Sequence, residues 1–304
     1  MTRRTDPAAS GVLVVDKPAG LTSHQVVGRI RRLAGTRKVG HAGTLDPMAT
    51  GVLVIGIQRA TRLLGHLALG EKEYRATIRL GISTVTDDAE GTPVDSVGAE
   101  HLDRAALDRQ IAALTGEIQQ VPSAVSAIKV DGVRSYAKVR AGDRVDLAAR
   151  PVTVSRFAVL SRTDHRVPTE AGRDLPVVDL DVEVTCSAGT YIRALARDLG
   201  TALGTGGHLT SLRRIRSGNF GVDRARTLEQ LEEEFTVLGI DDLARQEFPA
   251  VDLDDRRAAW VRNGRRLPDL QLTALTALFA PDGSFLALYR PANGDAVPEA
   301  VFAA

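Results

Sequence analysis

Gly40-His41-Ala42-Gly43-Thr44-Leu45-Asp46-Pro47-Met48-Ala49-Thr50-Gly51 runs directly into Val52-Leu53-Val54-Ile55. Glycine at 40, 43 and 51 permits backbone angles and close approaches that a Cβ would block. Pro47 biases Asp46 toward an extended conformation, because the helical region clashes with the proline ring. The apolar run that follows predicts a buried strand. A shaped loop therefore delivers one carboxylate, Asp46, with His41 close by in sequence, to the start of a core strand. That placement suits a catalytic nucleophile or acid. An Asp-Pro pair present only for turn chemistry is the competing explanation.

Outward from this loop, residues 11–15 read as a strand ended by Asp16-Lys17-Pro18-Ala19-Gly20. Thr22 or Ser23 can cap a helix whose apolar positions Val26, Val27, Ile30 and Leu33 recur at helical spacing. Its other face, with Arg29, Arg31 and Arg32, leads to Arg37-Lys38. Tyr74, Ala76, Ile78 and Leu80 alternate with Glu73, Arg75, Thr77 and Arg79, a strand with one buried face. Leu102 to Leu114 predicts a helix stopping at Gly116, and residues 162–176 read as a polar loop or insertion. Val178, Leu180, Val182 and Val184 predict a second half-buried strand that enters Cys186-Ser187-Ala188-Gly189. A helix then carries Ile192, Leu195, Ala196 and Leu199 on one side, with Gly200 as its expected C′ residue. Strands and helices mix without a βαβ rhythm, which favours an α+β fold on a mixed, largely antiparallel sheet with flanking helices. Beyond residue 246 the pattern changes. Phe248-Pro249, an acidic linker at 252–255, a turn at Asn263-Gly264 and a hairpin signal at Asp282-Gly283 predict a small β-rich unit. The expected division is 1–246 and 247–304.

The 304 residues are 43% hydrophobic and 25% charged, ample for a buried core. Cys186 is the one cysteine, so a disulfide framework is excluded and a reducing cytoplasm is expected. The apolar run at 12–15 is too short for a secretory signal, and no run reaches bilayer length. A monomer is the default expectation. The net charge of +1 conceals strong asymmetry. Residues 1–80 hold 13 Lys/Arg against 5 Asp/Glu, a net of +8, and residues 185–226 hold 7 Arg against 2 Asp, a net of +5. Residues 227–255 reverse this, with 1 Arg against 10 acids, a net of −9. One face can then carry positive potential suited to a phosphate backbone, although solvated arginines would produce the same counts.

No metal site is expected, since none of the six histidines is paired at i and i+4 and the cysteine has no CxxC partner. Neither a GxSxG elbow nor a phosphate loop appears, and Gly204-Thr205-Gly206-Gly207 lacks the following Lys-Ser/Thr. Arg193 lies near the start of its helix, where the macrodipole disfavours a cation. That position calls for a nearby anion, either a carboxylate such as Asp46 or a phosphate; balance by Asp198 on the surface is the alternative. Tyr74 and Tyr191 read as core residues or as stacking platforms for an unstacked base. Leu212-Arg213-Arg214-Ile215-Arg216 reads as a solvated basic segment or as a strip tracking phosphates.

Taken in order, several motifs resemble the TruB family of tRNA pseudouridine synthases. They are Asp16-Lys17-Pro18 with Gly20 and Ser23, the Gly40–Gly51 loop, Glu71-Lys72-Glu73-Tyr74-Arg75-Ala76, and the Gln120-Val121-Pro122 to Arg140 segment. Cys186 to Arg193, Asp198-Leu199-Gly200 and Leu212-Arg213-Arg214 complete the set. The resemblance implies an isomerase for the T-loop uridine at position 55 of tRNA, with a PUA-like C-terminal domain and without metal or organic cofactor. It implies Asp46 as nucleophile, Tyr74 stacking on the flipped base, and Arg193 pairing with Asp46. It further implies His41 inserted into the T-loop, Tyr191 and Leu212 lining the uridine pocket, and Lys17 beside it. Arg213, Arg214, Arg31, Arg32, Arg37 and Lys38 are the expected contacts to the RNA backbone. Val125 departs from the family pattern, which carries an aromatic residue there. A non-catalytic RNA-binding or RNA-folding protein, a small-molecule hydrolase using Asp46, and a related pseudouridine synthase acting on a different RNA are the rival functions.

Overall fold

The computed structural model describes residues 9–123, 129–130, 133–134, 147–169 and 174–302; Val125 and most of the segment up to Arg140 lie outside them. Strand β1 (Gly11–Lys17) pairs antiparallel with β3 (Thr50–Ile57), and β2 (Val39–Ala42) pairs with the last residues of β3. Leu53, Ile55 and Ile57 of β3 enter one hydrophobic core with Leu13 and Val15, whereas Val52 and Val54 enter a second with Val12. Burial on both faces explains why this strand is an unbroken apolar run instead of an alternating one.

The remaining strands of the main sheet are β4 (Lys72–Leu80), β5 (Gly116–Gln120), β6 (Arg150–Pro168), β7 (Asp174–Cys186) and β8 (Gly207–Ser217). Their order is β1-β3-β8-β4-β7-β6-β5, and a short strand at 238–239 extends the β1 edge. Every pairing is antiparallel except β3 with β8, which are parallel at Thr50 and Gly51 against Arg213 and Arg214. This is the expected α+β architecture on a mixed, largely antiparallel sheet. Tyr74, Ala76, Ile78 and Leu80 enter the first core, while Arg79 pairs with Asp179 on the opposite face at 2.7 Å.

Helices α1 (Ser23–Leu33) and α3 (Ile192–Ala202) cover the first core with Val26, Val27 and Ile30 and with Ile192, Leu195, Ala196 and Leu199. Thr22 caps α1 in a reciprocal box with Gln25, satisfying two backbone donors at that end. The intervening α2 (Arg104–Ala113) is capped by Asp103, within the stretch expected to be helical.

Two expectations need correction. Residues 162–168 and 174–176 are strand, not loop, because β6 and β7 extend past the end of β4 as a hairpin paired from Val154↔Cys186 to Pro168↔Asp174. Gly200 is not a helix terminus. It lies inside α3, where a Cβ would stand 2.2 Å from Gly206 C and Gly207 N, and the helix ends at Ala202 with Leu203 as C-cap and Gly204 at φ +70°. The glycine serves close helix–strand approach, and its successor serves the left-handed cap.

The C-terminal part forms a second sheet of β9 (Ala250–Asp252), β10 (Thr276–Phe279), β11 (Phe285–Ala292) and β12 (Asp295–Val301), flanked by α4 (Ile240–Glu247) and α5 (Asp255–Arg262). Its hairpin turns at Asp282-Gly283, with Gly283 at φ +83°. The acidic stretch at 252–255 is more than a linker: Asp254 caps α5 through the Arg257 N–H. Phe279, Phe285, Leu288 and Phe302 pack into the second core against the back of β1 and β3. Arg59 Nη1 donates to Phe302 O at 3.0 Å across the same contact.

Candidate active site

The site begins at a break in the main sheet. β3 is bordered by β8 at Thr50 and Gly51 and by β2 from Val54 to Ile57, so Val52 falls between the two ladders. Arg214 fills the gap with its side chain, Nε donating to Val52 O at 2.7 Å and Nη2 to Gly43 O at 3.0 Å. Gly51 is required here, since at φ +96° a Cβ would lie 2.2 Å from Arg214 O.

The Asp46 loop spans this break and is latched by the β1–α1 connection. Ser23 Oγ accepts from Leu45 N at 2.8 Å and donates to Leu45 O at 2.9 Å, fully inside the protein. Lys17 is buried too, and its Nζ donates to Pro18 O, Leu21 O and Pro47 O. Gly20 N adds a bond to Pro47 O at 2.8 Å. Burial pushes the Lys17 ammonium down to about 8, against the pull of Asp46. Lys17 and Ser23 thus fix the backbone on either side of the carboxylate.

Arg193 meets Asp46 from the first turn of α3, with Nε 3.0 Å from Oδ2 and Nη2 3.2 Å from Oδ1. This fork is the carboxylate partner that the helix-start position called for, whereas Asp198 pairs instead with Arg197 at 2.8 Å. Arg193 Nη1 also donates to Thr86 O at 2.8 Å and stands 3.4 Å from Asp88 Oδ2. Asp88, buried and bonded by Thr86 Oγ1 and Glu90 N, was not singled out by sequence; adjacent Asp87 is buried as well but pairs with Arg197, and nothing local says which of the two faces Arg193. Although 35% of the Asp46 side chain faces the cavity, burial pushes its carboxyl above the ordinary value, with Asp88 adding to the rise and Arg193 opposing it. A carboxylate held high but paired keeps basicity for attack while remaining aimed.

A cavity of about 270 Å³ opens beside this pair. Tyr74 and Leu212 from the adjacent strands β4 and β8 line it, with Tyr191 and Ile192 at the start of α3 and with Lys72 and Arg214 beside Gly43. Tyr74 is buried against the Arg214 guanidinium, and burial pushes its phenol upward. Gln120 clamps Tyr191 on both backbone groups, accepting from its N–H at 2.8 Å and donating to its carbonyl at 3.0 Å.

Of the expected site residues, Asp46, Tyr74, Arg193, Tyr191 and Leu212 therefore share one cavity. Lys17 supports it from behind. His41 sits in β2 outside the lining, its Nδ1 buried without a hydrogen-bond partner, and burial with Arg214 and His24 pushes the imidazole down. Arg214 is a correction: its 1% exposure and its carbonyl bonds make it part of the cavity wall, not an outward phosphate contact. Arg213 is also engaged, in a bidentate pair with Asp16 at 2.7 and 2.9 Å. Arg32, Arg37 and Lys38 are exposed at the end of α1 and beyond it, while Arg31 turns back to Val39 O at 3.2 Å.

Residues 31–192 match the N-terminal domain of the TruB family pseudouridylate synthases. Residues 193–245 match the tRNA pseudouridylate synthase B C-terminal domain and 248–303 the tRNA pseudouridine synthase II C-terminal region. The chain belongs to the TruB family. It is 55% identical over 305 residues to a tRNA pseudouridine synthase B of Streptomyces griseus subsp. griseus, covering 100% of both chains. It is 58% identical to the Arthrobacter sp. (strain FB24) protein of that name, covering 97% of each. Among solved structures it resembles a chain of a Cbf5-Nop10-Gar1 complex, with a TM-score of 0.69, 26% identity, and 98% of this chain and 86% of that one covered. The TruB N-terminal match ends at Ile192 and the next begins at Arg193, so the cavity is assembled across that join.

Proposed function

We propose that the protein isomerises uridine to pseudouridine in tRNA, at position 55 of the T-loop, with Asp46 as nucleophile. The observation that carries this is the Asp46–Arg193 fork opening onto a cavity lined by Tyr74. A uridine stacked in a folded loop is out of reach and must be extruded, at a cost of a few kcal/mol. The cavity supplies what the extruded base needs: an aromatic platform in Tyr74, apolar contact from Leu212 and Ile192, and the aimed carboxylate. Arg32, Arg37 and Lys38 are free to contact phosphates and offset the extrusion cost, and His41 is the side chain for the emptied stack. Because the reaction conserves every substrate atom, exclusion of water matters more than any added reagent.

An RNA substrate together with a lone buried thiol supports a cytoplasmic setting. Residues 247–304 act as a PUA-like RNA-binding domain, supported by their four-stranded sheet. Incubation with unmodified tRNA followed by site-resolved detection of pseudouridine tests the activity. Asp46→Asn is expected to abolish product while leaving tRNA affinity nearly unchanged; equal product from variant and parent rejects the nucleophile.

A further inference from the structure

Four lysines and arginines are buried among the described residues: Lys17, Lys72, Arg193 and Arg214. Arg193 meets two carboxylates, and Lys17 spends its ammonium on three carbonyls. Lys72 and Arg214 differ. Among the described residues neither pairs with a carboxylate, and Lys72 Nζ donates to Ala68 O at 2.8 Å and Gly70 O at 3.2 Å. Arg214 donates to two carbonyls and lies against the Tyr74 hydroxyl. By donor count, one Lys72 N–H and two from Arg214 remain for a ligand.

Both side chains line the cavity, and they converge beside Gly43. Arg214 Nη1 and Lys72 Cε come within 3.4 and 3.5 Å of where a Cβ on Gly43 would stand. Two cations without counter-ions, desolvated on one wall, repel each other and are costly to bury. An anion arriving between them removes that cost, and no group among the described residues supplies one.

A neutral uracil ring gains negative charge during the isomerisation. If Asp46 attacks C1′, an Oδ–C1′ bond forms as C1′–N1 breaks, and the electron pair leaves on the pyrimidine, spread over N1, O2 and O4. C5 then attacks C1′, the carboxylate departs, the C5 proton is lost and N1 gains one. If Asp46 attacks C6 instead, an Oδ–C6 bond forms, the C5=C6 π pair shifts to C4–C5 and the C4=O π pair settles on O4 as an enolate. C1′ then passes from N1 to C5, N1 gains a proton, and loss of the C5 proton expels the carboxylate from C6. Either route places one full charge on the ring and needs no co-reactant.

We propose that Lys72 and Arg214 are catalytic residues forming a cationic wall that holds the pyrimidine anion. This rests on the isomerase reading above. The wall interacts weakly with neutral uracil and strongly with the charged ring, so its loss falls on the chemical step and not on RNA binding.

Arg214 also plugs the sheet, so Lys72 is the residue to test. Lys72→Met and Lys72→Arg are compared with the parent in single-turnover reactions on unmodified tRNA, alongside tRNA affinity and melting temperature. Lys72→Met is expected to react at least about tenfold more slowly at unchanged affinity and similar melting temperature, with Lys72→Arg retaining most of the rate. A tRNA bearing 5-fluorouridine at the target gives the discriminating readout, since fluorine itself stabilises the ring anion. Cleavage of its glycosidic bond should be slowed less by Lys72→Met than that of uridine. Equal slowing on both pyrimidines, equal damage from Lys72→Arg, or an unaffected Lys72→Met overturns the proposal. A parent that makes no pseudouridine rejects the activity instead.

Discussion

Replacing Arg193 with Met removes the fork on Asp46, the ion pair to Asp88 and the bond to Thr86 O while keeping much of the side-chain volume. Charge-assisted hydrogen bonds contribute about 1.5–3 kcal/mol each, and exposure of 35% of the Asp46 side chain to the cavity argues for the lower end through solvent screening. At about 1.4 kcal/mol per pH unit, losing that support moves the Asp46 ionisation up by about one pH unit. Burial already holds this carboxyl above its ordinary value, so the acid limb of the rate profile starts high and climbs further. The sign for stability follows from the same shift. A carboxyl whose folded ionisation lies above its unfolded one loses stability as pH rises from the unfolded value through the folded one. Arg193→Met should therefore be destabilised more at pH 8 than at pH 5. Single-turnover rates on tRNA from pH 5 to 9, with melting temperatures across the same range, measure both effects. An acid limb that stays in place, with destabilisation independent of pH, would refute the pairing argument.

Ser23→Ala orphans the buried N–H and carbonyl of Leu45, a loss of about 1–3 kcal/mol, and should lower both melting temperature and turnover because the Asp46 loop loses a latch. Gly51→Ala drives a methyl into Arg214 O, and circular dichroism should show severe loss of folded protein; a normal melt would mean that the two strands can separate there. Phe302→Ala removes a ring 4.9 Å from that of Phe285 and should cost about 3–5 kcal/mol, read as earlier unfolding of the C-terminal sheet in differential scanning calorimetry. Replacing Arg32, Arg37 and Lys38 together with Gln should lower the slope of log affinity for tRNA against log salt by about 2, and an unchanged slope would remove this segment from the RNA interface.

Local chemistry settled much of this molecule in advance. The Thr22 cap, the period-2 pattern from Tyr74 to Leu80 and the apolar run after Gly51 each mark their element through interactions within a few residues. Arg193 could be assigned an anionic partner because a cation at a helix start is an anomaly that sequence alone exposes. Asp88, Lys72 and the true place of Arg214 were not readable that way. Their roles arise where β2 and β8 part on either side of Val52, and where Arg193 reaches residues more than a hundred positions away. Burial is a property of what the rest of the chain stacks on top, so a charge that reads as a solvated strip can become the wall of a cavity. Only the packed fold decides which charged groups lose water, and that loss is what turns them into chemistry.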